Sequence, residues 1–189
     1  MDPTTANTHA HYDRWIHQVC DHLNKLIQID VDAVCTYREA LGHVTDFDVR
    51  VDMEAFLNDH ERHVMELSGV VRDLGGTPIR VHRDLKGAIL EGMTRLRSRG
   101  TLGALRAMRM NEKLTNRTYD KASHIYMPPI GQVIILENLA DERRHLTAIS
   151  AHIARIAGRD LDVQATQTGD VRPDVRADQE GAHRPLYQR

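Results

Sequence analysis

The chain has 189 residues, enough for one domain with a sizeable core. Its 25 Lys and Arg stand against 27 Asp and Glu, so there is no basic excess to suit a nucleic-acid partner. Aromatics make up 4% while Ala, Leu, Arg and Glu are plentiful, which favours helices over a β-sandwich.

Residues 1–9 are polar and are expected to form a flexible N-terminus. The opening MDPTTANTHAHYDRW lacks the basic and apolar runs of a secretory leader. A first helix is predicted from about 10 to 42, with Ile16, Leu23, Ile27, Val34, Tyr37 and Leu41 along its apolar side and Gly42 as its C-cap. Cys20 and Cys35 fall on this helix fifteen residues apart. At ~1.5 Å per residue they cannot form an intrachain disulfide. A reduced, cytoplasmic setting fits that usage.

Asp46 or Asp48 is placed to cap a second helix, predicted from about 49 to 74 and ended by Gly75-Gly76 and Pro78. Its inner seam reads Met53, Phe56, His60, His63, Leu67, Val70 and Leu74, so two histidines stand where a bundle core wants leucine. Residues 77–101 begin extended and then read as a short helix. A third long helix is predicted from about 102 to 126, with Leu105, Met108, Glu112, Thr115, Tyr119 and Ala122 on one side. Pro128-Pro129 break it. A fourth runs from about 130 to 157, turns Ile135, Glu142, His145, Ile149 and Ile156 inward, and is expected to stop at Gly158. Residues 159–189 are rich in Asp, Arg, Gln, Gly and Pro and read as a disordered tail, a segment that could dock on a partner. No run approaches the ~18 apolar residues of a membrane span.

Short loops make each helix pair an antiparallel hairpin, and the long link between the pairs can travel the length of a bundle. The predicted fold is therefore all-α: a ferritin-like four-helix bundle over 10–158, with a long crossover containing a short helix. One offset of 82 residues maps Asp30 onto Glu112, Tyr37 onto Tyr119, His60 onto Glu142 and His63 onto His145. Asp59 and Arg62 map onto the identical Asp141 and Arg144. Counted from the two turns, Asp30, His60, His63, Glu112, Glu142 and His145 fall at one height.

Three carboxylates and three imidazoles in one buried layer are costly unless cations neutralise them. A lone core histidine is more often hydrogen-bonded structure than ligand, and a lone Glu-x-x-His on a helix is weak evidence. Four helices, one level and a repeat point instead to metal ligands, in a set that suits iron, manganese or zinc. The alternative is a salt-bridged layer without metal. Tyr37 and Tyr119 are expected to be core residues whose hydroxyls find polar partners, and Asp59 and Asp141 to orient a histidine. Asp32 and Glu61 are expected to be solvated or to stand behind the ligands rather than among them, His152 to be a satisfied core histidine, and His9, His11, His17 and His22 to lie at the surface.

LNKLIQIDVDAVCTY (23–37) resembles the first helix of bacterioferritin, with Asp30 at the place of its ligand glutamate, and DERRHL (141–146) resembles its last-helix Glu-x-x-His. The spacing from His63 to Gly76 and Pro78 is also similar. Together with NEKLTNR (111–117), these stretches resemble small, uncharacterised bacterial ferritin-like proteins. The resemblance spans about residues 16–157. It implies a di-iron carboxylate centre with Asp30, Glu112, Glu142 and His145 at ligand positions, and ferroxidase or peroxide-handling chemistry; His60 and His63 join the set from their place in the buried layer. It also admits a homo-oligomer, a dimer or larger. Its second-helix bridging glutamate is replaced here by His60, and a neutral imidazole offers only one lone pair. Asp30 is a methylene shorter than glutamate. The centre is thus either dinuclear with Glu142 as its one bridging carboxylate, or mononuclear. No haem site is expected. The competing function is a non-enzymatic stress or interaction protein.

Overall fold

The computed structural model describes residues 3–79 and 100–168, with side chains over 10–79 and 100–159. Four helices make up this part: α1 (Pro3–Leu41), α2 (Phe47–Asp73), α3 (Gly100–Ser123) and α4 (Pro129–Thr168). α1 packs on α2 and α3, and α4 packs on α3 and α2, closing a ring of four. The short helix expected between α2 and α3 lies outside the described residues.

Two boundaries differ from expectation. α1 begins at Pro3, not near residue 10. Proline fits the first turn of a helix, and the following Thr, Ala, Asn and His residues do not break one. α4 runs through Gly158 to Thr168, ten residues into what reads as tail. A glycine inside a helix costs only about 1 kcal/mol, and no proline follows until Pro173. Glycine does end α2: Gly75 takes φ 77°, and the amides of Gly75 and Gly76 close back on Arg72 and Val71 carbonyls at 2.9 and 2.8 Å.

Asp46 is the N-cap of α2, its carboxylate accepting from the Val49 amide at 3.2 Å. The same carboxylate takes both arms of Arg155 on α4, at 2.9 and 3.0 Å, tying the first hairpin's turn to the far end of the bundle. The Arg155 side chain first, then the Val49 amide, hold its pKa down at about 2. Asp46→Ala is expected to cost about 1–2 kcal/mol, mostly from the lost cap. Because the folded pKa is depressed, this contribution is present above pH ~4 and is lost as pH falls through about 2. Urea melts between pH 2 and 5 check both statements.

The core divides into two apolar clusters. One gathers Val19, Leu23, Leu26 and Ile27 with Leu67, Val70, Ile135 and Leu139. The other gathers Ala33, Ala40 and Val49 with Met53, Phe56, Leu105, Met108 and Ile149. On every helix the residues between these two groups are the polar ones picked out by the sequence. The seams expected on α2 and α3 are buried, with Leu74 at the C-cap of α2 only half-buried. Among the described residues no helix is long and apolar enough to cross a membrane.

Candidate metal centre

Asp30 on α1, His60 and His63 on α2, Glu112 on α3, and Glu142 and His145 on α4 meet in the layer between the two clusters, each 0% exposed. Four of their atoms form a closed ring. His60 Nδ1 lies 2.9 Å from Asp30 Oδ1 and 3.4 Å from Glu142 Oε1. His63 Nδ1 lies 3.6 and 3.4 Å from the same two oxygens. On the other side, His60 Nε2 is 3.5 Å from Glu112 Oε1, and His145 Nδ1 is 3.6 Å from Glu112 Oε2. Two sets of four residues that could hold a metal ion result, Asp30–His60–His63–Glu142 and His60–Glu112–Glu142–His145, sharing His60 and Glu142. With metal–ligand bonds of about 2.1 Å, neighbouring donors sit about 3.0 Å apart in an octahedron and about 3.4 Å in a tetrahedron. The observed spacings bracket those values.

Buried polar atoms are normally hydrogen-bonded. Here His60 Nε2, His63 Nδ1, His145 Nδ1, Glu112 Oε2 and both oxygens of Glu142 have no hydrogen-bond partner among the described residues. Their other ends are anchored. His145 Nε2 donates to Asp59 Oδ2 at 3.0 Å, and His63 Nε2 faces Asp141 Oδ2 at 3.4 Å. Each aspartate therefore serves the histidine of the opposite half, and in doing so turns that ring's Nδ1 lone pair inward. Tyr119 donates to Asp30 Oδ2 at 2.5 Å, and Tyr37 donates to Glu112 Oε1 at 2.6 Å. Every tyrosine and aspartate expected near the site is in contact with it.

Other groups carry no sequence signal strong enough to single them out. Arg62 and Arg144 bridge Asp59 and Asp141 in an alternating ring of charges over the α2–α4 seam, at 2.5–3.2 Å. Their identity across the repeat is the only hint. Asn116 donates to the carbonyls of Glu112 and Glu142 at 2.9 and 2.8 Å, locking α3 to α4 beside the site. Asn138 is buried, with its amide 3.5 Å from the Tyr119 hydroxyl. Away from the layer, His152 pairs with Asp52 at 2.7 Å. His11 and His17 are exposed and His22 half-buried. Cys20 and Cys35 are free thiols. Glu61 is half-buried and pairs with Arg38, and Asp32 is half-buried and accepts from Gln28.

Burial works against every charge in the layer, but contacts within it decide the outcome. Desolvation would push the His63 pKa down, and the Asp30 and Glu142 carboxylates close to its Nδ1 outweigh it and raise it to about 9. His60 is raised well above its usual value despite the same burial, through Asp30, Glu112 and Glu142. Burial would raise Asp30 and Glu112, yet the histidines around them hold both carboxyls below the usual range. Glu142 is different. Burial pushes it up, the charges of Glu112 and Asp30 add to that, and contacts with His63 and His60 only partly offset it. The layer thus holds protons among its carboxylates.

A family model described as a domain of unknown function (DUF2383) matches residues 18–124. The chain belongs to that family. The match takes in Asp30, Tyr37, His60, His63, Glu112 and Tyr119, and stops before Glu142 and His145. No curated protein matches. Among solved structures, the chain is similar to a two-domain protein of Anabaena variabilis containing DJ-1/ThiJ/PfpI-like and ferritin-like domains, at 12% identity and TM-score 0.61. The alignment takes in 88% of this chain but only 42% of that one. It is also similar to the bacterioferritin-related, dodecameric thioferritin of Bacteroides fragilis, at 16% identity and TM-score 0.63, over 78% of this chain and 90% of that one. The fold is thus a ferritin-like helical bundle.

Proposed function

We propose that this chain is a ferritin-like iron protein whose buried centre oxidises ferrous iron with oxygen or peroxide. The observation that carries this reading is the set of unpaired, inward-facing nitrogen and oxygen atoms on five fully buried residues, His60, His63, Glu112, Glu142 and His145, with buried Asp30 beside them. Such atoms are expensive to bury and become favourable only with a cation among them. In this reading Asp30, His60, His63, Glu112, Glu142 and His145 are the ligands. Mixed imidazole and carboxylate donors suit iron and also accept manganese or zinc.

Bound ferrous ions would supply the electrons for reducing the oxidant. The chain's own residues hold, orient and shield. Tyr37 fixes one oxygen of Glu112 and leaves the other free, and Tyr119 fixes the Asp30 oxygen that does not face His60. Asp59 and Asp141 set the tautomers of His145 and His63. The apolar clusters on either side keep bulk water out of the layer. The dodecamer formed by the Bacteroides fragilis protein makes a homo-oligomer a natural extension of the proposal.

The test is oxygen consumption on adding ferrous iron to the metal-free protein. Uptake above the buffer rate, lost in His63→Ala/Glu142→Ala, is the expected result. Uptake at the buffer rate throughout would favour a salt-bridged, non-enzymatic bundle. Asp59→Ala leaves all six ligands in place and frees the His145 ring. It is expected to weaken metal binding 10–100-fold, read by competition with a chromophoric chelator.

A further inference from the structure

The two sets of ligands are not equivalent, because His60 treats them differently. Its Nδ1 is 2.9 Å from Asp30 Oδ1, a hydrogen-bond distance to an atom that can only accept. Nδ1 therefore carries hydrogen and donates to Asp30. Its Nε2 has no hydrogen-bond partner and faces Glu112 at 3.5 Å. In the set His60–Glu112–Glu142–His145 every residue offers an unpartnered atom: His60 Nε2, Glu112 Oε2, His145 Nδ1 and the Glu142 oxygens. In the set Asp30–His60–His63–Glu142, by contrast, the Asp30 and His60 atoms are already spent on each other.

We propose that the centre fills in order, the first ion entering His60–Glu112–Glu142–His145 through His60 Nε2, and the second entering Asp30–His60–His63–Glu142 more weakly. This rests on the reading of the layer as a metal centre. For the first ion Asp30 is a positioning residue: it holds the Nδ1–H end of the ring so that Nε2 points at the metal. Entry of the second ion breaks the Asp30–His60 hydrogen bond. For His60 to serve that ion as well, its Nδ1 proton would have to leave to solvent.

The experiment is a titration of the metal-free full-length protein with Mn(II), following free ion by its electron paramagnetic resonance signal and bound stoichiometry by elemental analysis. Wild type is expected to take one ion per chain tightly and a second at least 10-fold more weakly. Asp30→Asn keeps an acceptor for His60 Nδ1–H and removes an anionic ligand. It is expected to retain the tight step and lose the weak one. Glu112→Gln is expected to lose the tight step. His145→Gln and His63→Gln repeat the comparison on α4 and α2, and circular dichroism establishes that each variant folds. Two ions bound in one step overturn the proposal, as does loss of the tight step in Asp30→Asn with its retention in Glu112→Gln. Either result leaves the metal centre itself standing. Failure of wild type to bind Mn(II), Fe(II) or Zn(II) at all overturns both.

Discussion

Removing metal is expected to lower the Tm by roughly 10 °C when the free ion is held near a thousandfold above its Kd. That ratio corresponds to about 4 kcal/mol of stabilisation, and a chain of this size moves about 2–4 °C per kcal/mol. The effect is large because the ion replaces something unfavourable. Glu142 buries two oxygens without partners, and three imidazole nitrogens face it and its neighbours in the same state. His63→Ala/Glu142→Ala is expected to show no metal-dependent shift, because one residue serves both ligand sets and the other anchors the second. Thermal melts with and without chelator, on wild type and variant, check this.

The metal-free protein is expected to lose stability as pH rises from about 4.5 to about 9, opposite to the usual acid lability. Glu142, His60 and His63 all bind protons more tightly folded than unfolded. Their contributions are complete below the unfolded values and fade as pH rises through the folded ones. For His63 this means loss between about 6.5 and about 9, a change of about 3 kcal/mol for that residue alone. Asp30 and Glu112 are lowered instead, so their contribution is lost only below pH ~4. Metal competes with these protons, so its stabilisation grows over the same window. The contrast is visible in melts from pH 4 to 9 with chelator or with Mn(II). A metal-free profile that is flat or rises toward pH 9 would show that the layer does not hold protons this way.

Much of the site was legible because burying a polar group on a helical seam is rare and leaves a mark. His60 and His63 interrupt Phe56 and Leu67 on one face of α2, and Glu142 and His145 do the same on α4. The 82-residue offset then related the halves. What the offset could not show is that the halves exchange partners. Tyr37 lies one heptad along α1 from Asp30, so at its height the neighbouring carboxylate is Glu112 on α3. Tyr119 reaches Asp30 for the same reason. The Arg62 and Arg144 ring was equally hidden, since long side chains at the surface follow partners that only the packed bundle brings near. The helix ends failed for a simpler reason. Gly158 and the polar residues beyond it read as a stop, but a helix propagates through one glycine when nothing forbids its hydrogen bonds.

The most direct measurement is elemental analysis of protein purified aerobically after expression in iron-supplemented medium, together with its near-ultraviolet and visible absorbance. One to two iron ions per chain, with absorbance that disappears on reduction and chelation, is the expected result. Protein that folds, melts cooperatively and carries no iron, manganese or zinc would contradict the account, leaving the six buried groups as a salt-bridged layer.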